Sequence, residues 1–185
     1  MIVNNESAEI LRIFNSAFND LLPKEKAEID LYPPELRGEI YASHEWIYPN
    51  INSEFYPSRL TVNITSTSIP DGVYRAGFAV SQGAYEMAVK AVFESLDRVE
   101  NMFKAQKKSD NEEYFLIGPK LTESDIRLYT TMIRFDPVYH GHFKCNYRTI
   151  RDGYPLIHRW LQNLYWNYPA FQNTTNFDHI KTHCE

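Results

Sequence analysis

Two cysteines and six histidines are the residues through which this sequence could do covalent or metal chemistry. Cys145 closely follows His140-Gly141-His142, and Cys184 follows His183, which stands four residues after His179. An i, i+4 pair puts two imidazoles on one helix face, as zinc needs. That second group lacks the glutamate of an H-E-x-x-H motif and reads as a polar helix end, so no metal site is assigned. Neither cysteine stands in a C-x-x-C pair or plainly at a helix N-terminus, where a thiolate is favoured. Lys144 beside Cys145 is expected to lower its pKa only slightly, and Cys145 reads as a small loop or core thiol. With seven glycines there is no G-x-G-x-x-G, no phosphate loop and no G-x-S-x-G elbow. No catalytic residue is assigned. Tyrosine is the abundant resource: Tyr41, Tyr48, Tyr74, Tyr85, Tyr129, Tyr139, Tyr147 and Tyr165, with Trp160. Several converging phenols suit a planar aromatic ligand, holding its ring by stacking and its oxygens by hydrogen bonds.

The elements that would position these residues read as helices. Ile10, Phe14, Phe18 and Leu21 recur at helical spacing over 7–21, with Asn5 or Ser7 as cap. Tyr32-Pro33-Pro34 breaks the chain and opens a helix over 35–48, with Leu36, Ile40, His44 and Ile47 on one face and Pro49 as its stop. Residues 49–80 read as irregular, with Arg59–Ile69 a short strand or a loop. The clearest helix is 82–106, where Tyr85, Val89, Val92, Leu96, Val99 and Phe103 form one stripe. Leu121-Thr-Glu-Ser-Asp-Ile126 opens another: Thr122 and Asp125 form a capping box, with Leu121 and Ile126 at the staple positions. That helix runs to Pro137. A further helix covers 155–165, and Thr175-Asn-Phe-Asp178 repeats the capping pattern before a short last helix. Five or more helices without a convincing sheet make the fold all-α.

Composition narrows the function classes. The 185 residues fit one domain, or one domain and a fragment of a second. A net charge of −5 without a basic patch argues against nucleic acid. No apolar run of membrane-spanning length occurs, and Met1–Ser7 lacks the features of a signal peptide. Two cysteines are too few for a disulfide framework. Together these point to a reduced, cytoplasmic protein.

Several runs then resemble one family. They are Ile2-Val-Asn-Asn-Glu-Ser7, Gly72-Val-Tyr-Arg-Ala-Gly-Phe-Ala79, Leu121-Thr-Glu-Ser-Asp-Ile-Arg127, Arg134-Phe-Asp-Pro-Val-Tyr-His-Gly-His-Phe-Lys-Cys145 and Asn176-Phe-Asp-His-Ile-Lys-Thr-His183. The sequence resembles the glutathionyl-hydroquinone reductases, the Xi class of glutathione transferases, close to the omega class. The resemblance covers nearly the whole chain apart from about residues 53–70, which read as an insertion in a place where the family has a short connection.

The resemblance implies an all-α bundle like the glutathione transferase C-terminal domain over 22–185, preceded by the remnant of a thioredoxin-like domain over 1–21. It implies that Glu6 and Ser7 bind the γ-glutamyl part of glutathione. The residue types agree, since a carboxylate holds an amine and a helix start holds a carboxylate. It implies that Tyr74 and Tyr139 wall a quinone pocket. It also places Cys184 where the family has a tyrosine near the substrate, so a phenol is lost there. The family's catalytic cysteine sits in a preceding domain, and neither Cys145 nor Cys184 matches its motif. The expectation is therefore a glutathione-dependent, homodimeric family member whose 185 residues alone are inactive. The alternative is a non-enzymatic helical module that binds a protein or an aromatic ligand.

Overall fold

The computed structural model describes residues 4, 6–52, 72–107 and 113–182. The insertion over 53–70, His183 and Cys184 lie outside the described residues. Every regular element among the described residues is helical, and no strand occurs there. The α-helices are α1 (Ser7–Phe14), α2 (Lys24–Ala27), α3 (Arg37–Ile47), α4 (Val73–Gly77), α5 (Gln82–Gln106), α6 (Glu123–Arg134), α7 (Ile150–Gly153), α8 (Pro155–Asn167), α9 (Pro169–Thr174) and α10 (Phe177–Thr182).

Helix α5 is the central post and spans the length read from its stripe. Val89, Val92, Leu96, Val99 and Phe103 are fully buried on it, and α4 and α8 pack against it. Ser81 caps its start, accepting from the Ala84 N–H at 3.3 Å. Two carboxylates cap neighbouring helices from a distance. Glu100 on α5 accepts from the Leu156 and Ile157 N–H groups at 2.8 and 2.9 Å, at the start of α8. Asp136 does the same for Ile150 and Arg151 at 2.6 and 3.1 Å, at the start of α7. Each places negative charge where a helix N-terminus leaves donors unpaired.

The capping box forms at Thr122 and Asp125, and it reaches further than its own helix. Asp125 is completely buried. Its carboxylate accepts from the Thr122 N–H at 3.0 Å and the Thr122 hydroxyl at 3.1 Å. It also accepts from the Leu116 N–H at 2.7 Å and the Trp160 indole N–H at 3.1 Å. Burial raises its pKa, to about 6, against the pull of these four donors, so it is mainly a carboxylate at neutral pH.

Several local expectations are refined or corrected. The first helix ends at Phe14 rather than continuing to residue 21. Asn15 is responsible: its carboxamide donates to Asp30 and accepts from the Leu31 N–H, each at 2.8 Å, which draws the chain away. Its N-cap is Glu6, without a side-chain bond, rather than Asn5 or Ser7. The α-helices end before Pro49 and Pro137, as expected, but the chain keeps winding. A wider π turn takes over at Tyr48–Asn52 and at Phe135–Tyr139, because proline has no N–H for the α ladder and its ring crowds the preceding turn. Residues 73–77, read as irregular, form α4, which is too short to show a period. At the last helix, Asn176 accepts from the His179 N–H at 3.0 Å. Thr175 does not cap there; its hydroxyl instead bonds the Phe171 carbonyl at 2.8 Å and the Tyr129 hydroxyl at 2.9 Å.

Replacing Asp125 by alanine strands four buried donors and should cost about 4 kcal/mol, whereas Thr122→Ala should cost about 1 kcal/mol. Urea midpoints of the two variants check the difference. Similar small losses would mean that Asp125 only caps its own helix.

Candidate functional site

An aromatic cluster forms where α4 meets the π turn after α6. Tyr74 lies 5.9 Å from Tyr139 and 4.6 Å from Phe143, ring centre to ring centre, both edge-on. Phe78 stacks 6.5 Å from Tyr74 and lies 5.8 Å from Phe143. The structure thus brings Tyr74 and Tyr139 together, as a shared pocket would require. Their exposures differ. Tyr139 is 6% exposed and forms a floor, while Phe78 is 57% exposed and supplies open ring surface. Phe78 and Phe143 were not singled out from the sequence. A phenylalanine carries no polar handle of the kind that marks a tyrosine, so its sequence position gives no signal of a site.

Gly77 permits this closeness. A Cβ on it would stand 2.4 Å from a Phe143 ring carbon, so only glycine lets the ring lie against the helix end. Cys145 sits behind the cluster, wholly buried, with its N–H donating to the Tyr139 carbonyl at 3.0 Å. Burial pushes its thiol up to about 12, overriding any effect of Lys144. Cys145 is therefore a packed thiol and no nucleophile at neutral pH. Among the described residues, no three metal-ligating side chains converge.

A second cluster joins α1, α3 and α6. Arg12 forms a two-pronged ion pair with the nearly buried Glu123, at 2.7 and 3.1 Å. Its guanidinium also lies over the rings of Tyr32 and Tyr41, at 4.2 and 4.9 Å. Next to Glu123, Ser124 Oγ is 3.1 Å from His44 Nε2, and Arg127 Nη1 is 3.2 Å from His44 Nδ1. Serine, histidine and glutamate in contact resemble a hydrolytic triad, but the proton order excludes one. Arg127 can only donate, so Nδ1 accepts and Nε2 carries the proton toward Ser124. Ser43 spends its hydroxyl proton on the Ile40 carbonyl at 2.7 Å, leaving its oxygen to accept from Ser124 at 3.3 Å. His44 has no lone pair facing Ser124 and cannot activate it. Burial, Arg127 and Arg12 together lower the His44 pKa to about 4.

Glu6 and Ser7 stand exposed at the start of α1, and the Glu6 N–H is held by Asn4 Oδ1 at 2.8 Å. The Glu6 charge is close enough to influence Arg127. Thus the start of α1 and the second cluster share one electrostatic neighbourhood. Cys184, expected beside the substrate, lies outside the described residues.

Residues 82–163 match the family described as glutathione S-transferase, C-terminal domain. Over 98% of its length the chain is 48% identical to glutathione S-transferase omega-like 2 of Schizosaccharomyces pombe, covering 51% of that protein. It is 43% identical, again over 98%, to the glutathionyl-hydroquinone reductase YqjG of Escherichia coli, covering 46% of it. The solved Xi glutathione transferase ECM4 of Saccharomyces cerevisiae, in complex with glutathione, superposes with a TM-score of 0.82 at 45% identity. That superposition covers 99% of this chain and 53% of the other. The chain spans about half the length of the curated relatives it matches.

His44 makes stability depend on pH in a defined direction. The unfolded chain takes up a proton near 6.5, while the folded chain resists until about 4. Stability from this site is therefore full above 6.5 and is lost as pH falls from 6.5 to 4. The loss should be of order 2 kcal/mol after allowance for partial solvation. Subtracting the denaturation profile of His44→Gln from that of the wild type isolates the contribution; superposable profiles would contradict it.

Proposed function

We propose, on the premise that this chain is a homologue of the Xi-class and omega-like glutathione transferases, that it is the helical, substrate-side part of a glutathionyl-hydroquinone reductase. In that reaction a cysteine thiolate attacks the sulfur of a glutathionyl-hydroquinone. The aryl carbon–sulfur bond breaks, the carbon takes the electron pair and a proton, and a mixed disulfide with glutathione remains. A second glutathione thiolate releases it as glutathione disulfide and restores the cysteine. The observation that carries this reading is the half-open aromatic wall of Tyr74, Phe78 and Phe143, set beside the inert thiol of Cys145. A flat substrate ring has a surface to lie on, and the described cysteine is not fit to attack.

The nucleophile then belongs to a thioredoxin-like domain, of which residues 1–21 are the end. Helix α1 supports that division. Its Phe14 is 63% exposed, Ile13 and the following Phe18 are nearly half exposed, and the rings of Phe14 and Phe18 are 5.4 Å apart. An apolar surface of this kind is suited to burial against another folded unit. Glu6 and Ser7, at the head of the same helix, hold the γ-glutamyl group of glutathione, and Cys184 borders the substrate. The same reading makes the protein a cytoplasmic homodimer. The competing reading, a binding module without chemistry, draws on that exposed face of α1 alone.

The purified 185-residue chain should show no glutathione-dependent reduction of glutathionyl-menadiol, yet should bind its ring. Tyr74→Ala should weaken that binding roughly tenfold, the worth of a lost aromatic contact. Turnover by the chain alone, or binding indifferent to Tyr74, would overturn the proposal. A stable complex with another protein and no quinone binding would favour the module.

A further inference from the structure

Helix α1 carries Glu6 and Ser7 at its head, yet its firmest hold on the bundle lies at its other end. None of its eight residues is buried. In its last turn Arg12 turns all three guanidinium nitrogens on the bundle. Nε and Nη2 donate to the two Glu123 oxygens at 3.1 and 2.7 Å, and Nη1 donates to the Tyr41 hydroxyl at 3.0 Å. The guanidinium also lies 4.2 and 4.9 Å from the ring centres of Tyr32 and Tyr41. Its plane and its rotation are thereby both fixed. A second tie ends on the same partner. Glu123, the first residue of α6, donates its N–H to the Leu31 carbonyl at 2.8 Å. Leu31 donates its own N–H to Asn15, the C-cap of α1, at 2.8 Å. The head of α1 is tied more locally: Asn4 donates to Glu9 and accepts from the Glu6 N–H, each at 2.8 Å.

Charge fixes the direction in which α1 lies. Glu123 and Arg127 stand four apart on α6, and so share a face. Arg12 pairs with the first, and the charge of Glu6 is felt at the second. Turning α1 end for end would set like charges against each other. A rigid helix held at one end acts as a lever. Glu6 lies six residues from Arg12, about 9 Å along the axis. A tilt of about 10° at the clamp therefore moves the Glu6 carboxylate by about 1.5 Å, more than a precise binding site tolerates. Helix α6 runs on for 12 residues, about 18 Å, into the turn that carries Tyr139. One rod thus holds the clamp at its start and the aromatic wall at its end.

We propose that Arg12 and Glu123 are positioning residues for glutathione: from the far end of α1 they set where Glu6 and Ser7 meet the γ-glutamyl group. Both act at a distance. Their pairing selects the one orientation of α1 in which the Glu6 carboxylate and the first-turn N–H groups converge on the ligand's amine and carboxylate. Without the pair α1 keeps its helix but samples other tilts, and the apparent affinity falls with the fraction of time its head is in place. This role presupposes that Glu6 and Ser7 are the γ-glutamyl site, as in the proposed function.

Titration of the full chain with S-methylglutathione, followed by the amide shifts of isotope-labelled protein, tests this. The capped thiol keeps disulfide chemistry out of the measurement. The wild type should bind saturably, and Glu6→Gln should weaken binding about fivefold or more. Arg12→Met and Glu123→Gln should each weaken it as much, although neither alters the head of α1. The double variant strands no charge and should lose as much as either single one, because both act through one contact. Arg12→Lys should recover part of the loss. Circular dichroism at the titration temperature should show the double variant fully folded, so that a mere loss of stability would not move its binding constant. Weakening by Glu6→Gln with wild-type binding in both clamp variants would overturn the positioning role and leave the γ-glutamyl site in place. Full recovery in the double variant would trace the loss to a stranded charge and overturn the role as well. No saturable binding, or binding indifferent to Glu6→Gln, would overturn the γ-glutamyl site and the positioning role with it.

Discussion

A single buried carboxylate organises this molecule. Asp125 gathers the backbone of the 114–117 segment, the first turn of α6 and the indole of α8 around two oxygen atoms. Every partner is a donor, so the arrangement is satisfied only while the group is an anion. An ion at full burial is costly unless its hydrogen bonds are complete. That cost makes the arrangement all-or-none: the loop, the helix start and Trp160 find their places together. The core around Leu116, Leu128 and Trp160 then closes over a polar point whose donors are already matched.

The functional surfaces depend on where the α ladder fails. Pro137 forces a π turn, and that turn is what carries Tyr139 toward Tyr74. Pro49 does the same after α3 and delivers Ile51 into the core near α4. The bare backbone of Gly77 then lets Phe143 close against the helix end. The aromatic wall is thus built from short irregular pieces held between long helices. Long helices supply rigidity, and the irregular turns choose which rings face one another.

Charge plays a different part at the other end of the molecule. Helix α1 buries none of its residues and is tied to the bundle by the Arg12–Glu123 pair. Glu123 is nearly buried and its partner is partly exposed, so the contact gains from a lowered dielectric without full desolvation of both ions. Tyr32 and Tyr41 shield it by lying against the guanidinium. His44 beside it stays neutral chiefly because it is buried, and the two nearby cations, Arg127 and Arg12, add to the cost of charging it.

Periodicity and capping chemistry were legible without coordinates. The stripe from Val89 to Phe103 specified α5 to its ends, and Thr122 with Asp125 marked the start of α6, because both signals are local and repeat with the helix itself. Helical class followed from the same signals. Glu6, Ser7 and Cys184 are marked only by resemblance, and Tyr74 and Tyr139 stand out from the other phenols of the surplus only by resemblance, since nothing in their spacing announces a site. Other features needed the fold. Asn15 ends α1 through Asp30 and Leu31, Phe78 and Phe143 complete an aromatic wall, and Arg127 sets the proton on His44. Those outcomes depend on neighbours distant in sequence, and no local pattern carries that information. The sequence by itself determined which segments are helical and which faces are apolar, because those follow from hydrogen bonds and side chains a few residues apart. The tertiary structure alone decided how deeply the Cys145 thiol, already read as a packed one, is buried and that Asp125 serves three elements, because burial and long-range pairing set the free energy of a charge.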